Sequence, residues 1–111
     1  MSAPETAANL AEPRRMAEEG TQASWVWITP PPVDEERERA YPNYRNTGRR
    51  WRADDAAAVR AAILARQEPV VDLTAVFGTP STTDLLGEDG VHPTPTGHRA
   101  IVRAVVEFLT S

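Results

Sequence analysis

Three consecutive prolines, Pro30-Pro31-Pro32, stand directly behind the run Trp25-Val26-Trp27-Ile28-Thr29. That run is rich in aromatic and β-branched residues and lacks polar alternation, so it reads as a strand buried on both faces, as in a parallel sheet. Residues without an amide hydrogen cannot continue a hydrogen-bonded ladder, so the chain has to leave the sheet at Pro30. A second run, Pro69-Val70-Val71-Asp72-Leu73, predicts another short strand that ends near Phe77-Gly78.

Helical patterns surround these runs. Ser2 to about Glu19 reads as a helix, with Ser2 and Glu5 at capping-box spacing, Pro4 in the first turn and Gly20 as the stop. Pro13 is expected to divide or kink it. Residues 33–53 form a polar excursion with a short helix near Asp34 to Arg39. Asp54 or Asp55 then caps a helix reaching about Arg66, whose apolar face is Val59, Ala62 and Ile63. Thr94 as N-cap and Pro95 at the first helical position open the last helix, where Ile101, Val102, Val105, Val106 and Leu109 recur at helical spacing. Helix, strand, helix, strand, helix predicts an α/β fold with a parallel sheet and right-handed crossovers. Two strands of this kind do not make a stable sheet by themselves, so each is expected to need neighbours outside this sequence.

The length of 111 residues leaves room for one domain at most, and 41% hydrophobic with 25% charged residues is a globular composition. Cysteine is absent, which excludes disulfides and thiolate chemistry. The net charge is −4, with arginine as every basic residue, a poor match to nonspecific nucleic-acid binding. The start has neither a basic n-region nor an apolar h-region, and no apolar run reaches the length of a membrane span. No signal peptide is expected, and the cytoplasm is the default placement.

In open parallel sheets, sites form beyond the carboxyl ends of strands. The long loop from Gly78 to Thr94 occupies that position and contains Glu88-Asp89-Gly90-Val91-His92-Pro93. An aspartate three residues before a histidine can fold back within one turn and accept a hydrogen bond from the imidazole. That bond fixes the ring tautomer and stabilises the cation formed when the other nitrogen takes a proton. Gly90 permits the turn, and Pro93 and Pro95 stiffen the backbone beyond it. Taken alone, an Asp-x-x-His pair is more often a surface turn than a catalytic one.

The wider string Asp89-Gly90-Val91-His92-Pro93, followed by Thr96-Gly97-His98 and an amphipathic final helix, resembles the last block of SGNH (GDSL-type) serine hydrolases. The upstream order of Val26-Trp27-Ile28-Thr29, the prolines, a variable excursion, a helix and Val70-Val71-Asp72-Leu73 agrees with that layout. The resemblance implies that residues 1–111 are the C-terminal part of a three-layer α/β/α hydrolase acting on carboxylic esters or similar acyl substrates. His92 would be the general base and acid, Asp89 would orient it, and no cofactor would be needed. The family's Gly-Asp-Ser nucleophile motif, its glycine block and its Gly-x-Asn-Asp block do not occur here. Ser2, Ser24, Ser81 and Ser111 stand in other contexts, and Asn9, Asn43 and Asn46 do not match either. About half of such a domain is therefore expected to lie outside this sequence, and the fragment is expected to be marginally stable. The alternative, from a different class, is a noncatalytic half-domain that docks on a partner through its exposed sheet edge.

Other signals read more plainly. Arg45, Arg49, Arg50 and Arg52 around Trp51 could bind phosphates, but a solvated loop near the cleft is favoured. The Glu35–Arg39 charge run reads as a solvated face. Asp89, His92 and His98 do not have the spacing of a known zinc motif, and His98 is expected to pack or hydrogen-bond locally. Trp25, Trp27, Phe77 and Phe108 read as core, and Asp72 as a partner of local amides near the strand end. Without a nucleophile or oxyanion donors, His92 has no proton to take. The 111-residue chain by itself is thus expected to hydrolyse no ester; turnover of a short-chain ester, abolished by His92→Ala, would contradict this.

Overall fold

The computed structural model describes residues 3–20, 24–45 and 51–111. Helix α1 spans Ala3–Gly20 and runs undivided through Pro13, where the sequence predicts a division or a kink. Pro13 is exposed, so its ring stands in water rather than against the core. Ion pairs flank it: Arg15 bonds Glu12 at 2.6 Å and Glu19 at 2.9 Å, and Arg14 reaches Glu18 at 3.4 Å. Ser2, the expected cap, lies outside the described residues.

Strands β1 (Trp27–Ile28) and β2 (Val70–Val71) pair in parallel, with Trp27 opposite Val70 and Ile28 opposite Val71. Trp27 N–H donates to the Pro69 carbonyl at 2.9 Å, and Thr29 N–H to Val71 at 3.0 Å. The fold is thus mixed α/β with a small two-stranded parallel sheet. Both strands are shorter than their apolar runs, and β1 is not covered on both faces: Trp27 is buried, whereas Ile28 is 45% exposed. Trp27 is held by a cluster rather than by a second sheet face. Its indole N–H donates to Glu68 at 3.1 Å, Arg66 lies over its ring, and Trp25 meets it edge-on at 5.2 Å. Bonds from Arg66, Trp27 and Arg14 hold the Glu68 carboxyl down at about 2, which ties α1 to the entrance of β2.

Between the strands lie α2 (Glu35–Ala40), α3 (Pro42–Arg45) and α4 (Ala53–Leu64). Helix α4 packs on α1 and is capped at Arg52, ahead of the aspartates that the sequence suggests as caps. Asp54 and Asp55 occupy its first turn instead, where carboxylates meet the positive end of the helix dipole. The helix stops at Leu64, and Gln67 takes a left-handed conformation with φ 54°. The second apolar run does not continue as a strand to Leu73. Leu73–Phe77 forms a short helix, α5, because the polar atoms at the strand end favour a turn. The Thr74 amide donates to Thr29 Oγ1 at 3.4 Å, Thr74 Oγ1 donates to the Pro30 carbonyl at 2.7 Å, and Val76 N–H reaches back to Asp72. Helical winding places Leu73 and Phe77 on one face, and both are buried. Asp72 takes Arg60 at 2.6 Å and Thr29 Oγ1 at 2.8 Å as its principal partners, with the local Ala75 amide, of the kind expected, as a smaller one.

Helix α6 (Pro95–Thr110) begins as the sequence indicates, with Thr94 Oγ1 accepting from Gly97 N–H at 3.0 Å. It packs on α5 and β2. The core comprises Trp27, Ile63, Val71, Leu73, Phe77 and Leu86, while Val102, Val106 and Leu109 of α6 remain 62%, 51% and 68% exposed. Among the described residues, no helix is long and apolar enough to cross a membrane.

The Glu35–Arg39 segment is a solvated face only at Glu36 and Arg39. Glu38 is 1% exposed, and the neighbouring Asp34 is also buried. Arg37 bonds Asp34 at 2.8 Å and donates to the carbonyls of Pro80, Thr83, Leu86 and Gly87 at 2.7, 3.4, 3.1 and 3.0 Å. The planar guanidinium, with five donors, matches this ring of acceptors, whereas an ammonium has three. Arg37→Lys should therefore strand carbonyls and lower stability by about 2 kcal/mol. Urea denaturation of the two proteins measures this, and equal midpoints would remove Arg37 as the loop's anchor.

Candidate active site

The loop from Gly78 to α6 carries little regular structure, yet its backbone is closed on itself. Gly87 N–H donates to His92 O at 2.8 Å, Thr94 N–H to Leu85 O at 2.9 Å, and Gly90 N–H to Gly87 O at 3.0 Å, with Leu86 and Pro93 bridged antiparallel. Asp34 N–H donates to Gly90 O at 2.9 Å, which pins the tip of the loop against α2.

Two glycines make this closure possible. Gly90 has φ 70°, and a Cβ there would run into the Asp34 carbonyl. A Cβ on Gly97 would strike the Leu85 carbonyl, so the first turn of α6 can lie against the loop only with glycine at that position.

Asp89 and His92 meet across this turn. His92 Nδ1 lies 2.6 Å from Asp89 Oδ2, while Asp89 Oδ1 accepts from the amides of Val91 and His92, both at 2.9 Å. The aspartate side chain is 13% exposed and the imidazole 69% exposed. Burial works against the charged carboxylate, but the two amides, the His92 ring and the Tyr44 hydroxyl outweigh it and hold the Asp89 carboxyl down at about 2. With Asp89 ionised, the ring proton belongs on Nδ1, and Nε2 is left as the basic atom.

Tyr44 is the residue that sequence reasoning missed. Its hydroxyl donates to Asp89 Oδ2 at 2.8 Å and stands 3.4 Å from His92 Nδ1. Burial and the Asp89 carboxylate push the phenol up to about 12, so it is a neutral donor at any working pH. Tyr44 is wedged between Tyr41 and Trp51, with ring centroids 4.9 and 4.6 Å away. Its signal in the sequence is only an aromatic in a polar excursion, more than forty residues from Asp89.

The other singled-out residues stand elsewhere. His98 is exposed on the first turn of α6, its amide bonded to Thr94 O at 2.8 Å. Among the described residues, no group of three histidines or carboxylates is arranged to hold a metal ion. Trp27 and Phe77 are in the core, whereas Trp25 and Phe108 are half-buried. Of the arginine stretch, Arg49, Arg50 and the Arg45 side chain lie outside the described residues; Arg52 is exposed. No family model matches the chain, and no match is found among curated proteins.

A carboxyl held below its ordinary value stabilises the fold above the unfolded-chain value near 3.9, and this contribution is lost as pH falls toward the folded value. Solvent screening at this shallow site leaves about 1 kcal/mol. Asp89→Asn should flatten that acid limb in urea denaturation between about pH 4 and pH 2. Tyr44→Phe should raise the Asp89 carboxyl midpoint, read by carbon NMR; an unchanged midpoint would show that the phenol is not holding the carboxylate.

Proposed function

We propose that this chain supplies the histidine–aspartate half of an SGNH-type serine ester hydrolase, folded as the C-terminal portion of a three-layer α/β/α domain. One observation carries the reading: a carboxylate charged at neutral pH is fixed on Nδ1 of an imidazole whose other edge stays open to solvent. In this role Asp89 and Tyr44 are positioning residues. His92 Nε2 takes the proton of a serine hydroxyl as its oxygen attacks the ester carbonyl. The imidazolium then passes that proton to the departing alcohol, leaving an acyl-serine, and a water activated by the same nitrogen releases the acid. The serine and the oxyanion donors come from sequence other than these 111 residues.

A second reading, a noncatalytic module that docks on a partner, is favoured by the uncovered Val102, Val106 and Leu109 of α6 and Ile28 of β1. The two readings diverge in one experiment. The chain is co-expressed with the N-terminal half of an SGNH hydrolase and treated with a serine-directed phosphonate. The esterase reading expects labelling of the companion's serine, falling about 10⁶-fold with His92→Ala. A stable complex whose labelling is indifferent to His92 would leave the docking module as the better reading.

A further inference from the structure

A groove of about 340 Å³ opens beside the Asp89–His92 turn, lined by Pro30, Pro31, Val33, Val59, Val91 and the Trp51 ring. Its volume lies at the lower end of small-molecule sites. The walls come from three separate parts of the chain: the segment after β1, helix α4 and the dyad turn itself. Val91 belongs to that turn, its amide bonded to the same carboxylate that holds His92. The Trp51 ring packs at a tilt against Tyr44, whose hydroxyl donates to Asp89. Two of the groove's lining residues, Val91 and Trp51, are thus direct neighbours of the Asp89–His92–Tyr44 cluster. The exposed Arg52 and Asp55 complete its rim, and no charged side chain enters from the Pro30–Val33 side. A neighbouring cavity shares Trp51 and Arg52 but is otherwise lined by Glu35, Glu38 and Arg39, where an aliphatic chain would cut the Glu35 carboxylate off from water.

We propose that the apolar groove beside Val91 receives an unbranched aliphatic chain of the ester, an inference that rests on the esterase reading above. The valines, prolines and indole offer area but no hydrogen bonds, so they select for chain length rather than for polar substituents.

Binding can be tested on the full chain without turnover. Isotope-labelled protein is titrated with sodium butanoate, hexanoate and octanoate, and in parallel with 1-butanol, 1-hexanol and 1-octanol. The expected result is shifts concentrated at the Val91, Ala56 and Val59 amides and the Trp51 indole N–H, with affinity rising roughly fourfold per methylene. Alkanoates that also perturb the His92 ring, with alkanols that do not, assign the groove to the acyl side of the ester; the reverse assigns it to the alcohol side. Ala56→Phe, which fills the groove, and Val33→Asp, which charges its wall, should each weaken octanoate at least tenfold. Two variants guard against misfolding, since either one alone, with a native spectrum, decides the point. Affinity independent of chain length, or shifts gathered on Val102, Val106 and Leu109 instead, would overturn the groove while His92-dependent serine labelling still stood. Chain-length-dependent binding at the groove together with His92-independent labelling would keep the aliphatic site and overturn the ester.

Discussion

Four backbone carbonyls, from Pro80, Thr83, Leu86 and Gly87, converge on the Arg37 guanidinium, and the rest of the site is built outward from that contact. The loop in question has no sheet or helix to absorb its polar groups, and carbonyls turned inward without donors would cost the loop its shape. Arg37 is fixed in turn by Asp34. The same aspartate caps α2 through the amides of Glu36 and Arg37, and its own amide holds Gly90. One short helix therefore sets both the body and the tip of the loop. Because Tyr44 follows on α3, the same anchor brings the phenol to Asp89.

The consequence for chemistry is a division of labour among donors. One oxygen of Asp89 is occupied by two backbone amides, which orient the carboxylate whatever the state of the histidine. The other oxygen takes the ring and the phenol. The carboxylate stays charged while the imidazole bonded to it remains open to solvent.

Outside this site the structure is less well covered. Ile28 on β1 and the Val102, Val106 and Leu109 stripe on α6 are apolar and open, and the paired strands are two residues long. A parallel sheet gains stability from cover on both faces and from neighbouring strands, and here the sheet has little of either among the described residues. The polar cluster of Glu68 with Arg14, Arg66 and Trp27, and the Thr29–Asp72–Arg60 cluster at the other strand end, take over part of that work.

What the residues determined by themselves was local. Thr94 and Pro95 set the start of α6, Asp34 a short helix, the three prolines the end of β1, and the Asp-Gly-Val-His turn its aspartate–histidine pair, because caps, ring constraints and glycine conformations act within a few residues. Other features depend on partners distant in the chain. Arg37 reads as solvated in the sequence because its four carbonyl acceptors lie more than forty residues away, and Tyr44 gives no signal there because its carboxylate does too. Leu73 reads as strand because the hydrogen bonds from Thr74 to Thr29 and Pro30 that accompany the helical turn join segments distant in the chain. The half-covered strand and the groove beside Val91 likewise exist only once α4 and the segment after β1 are brought together, since burial belongs to neighbours in space rather than in sequence.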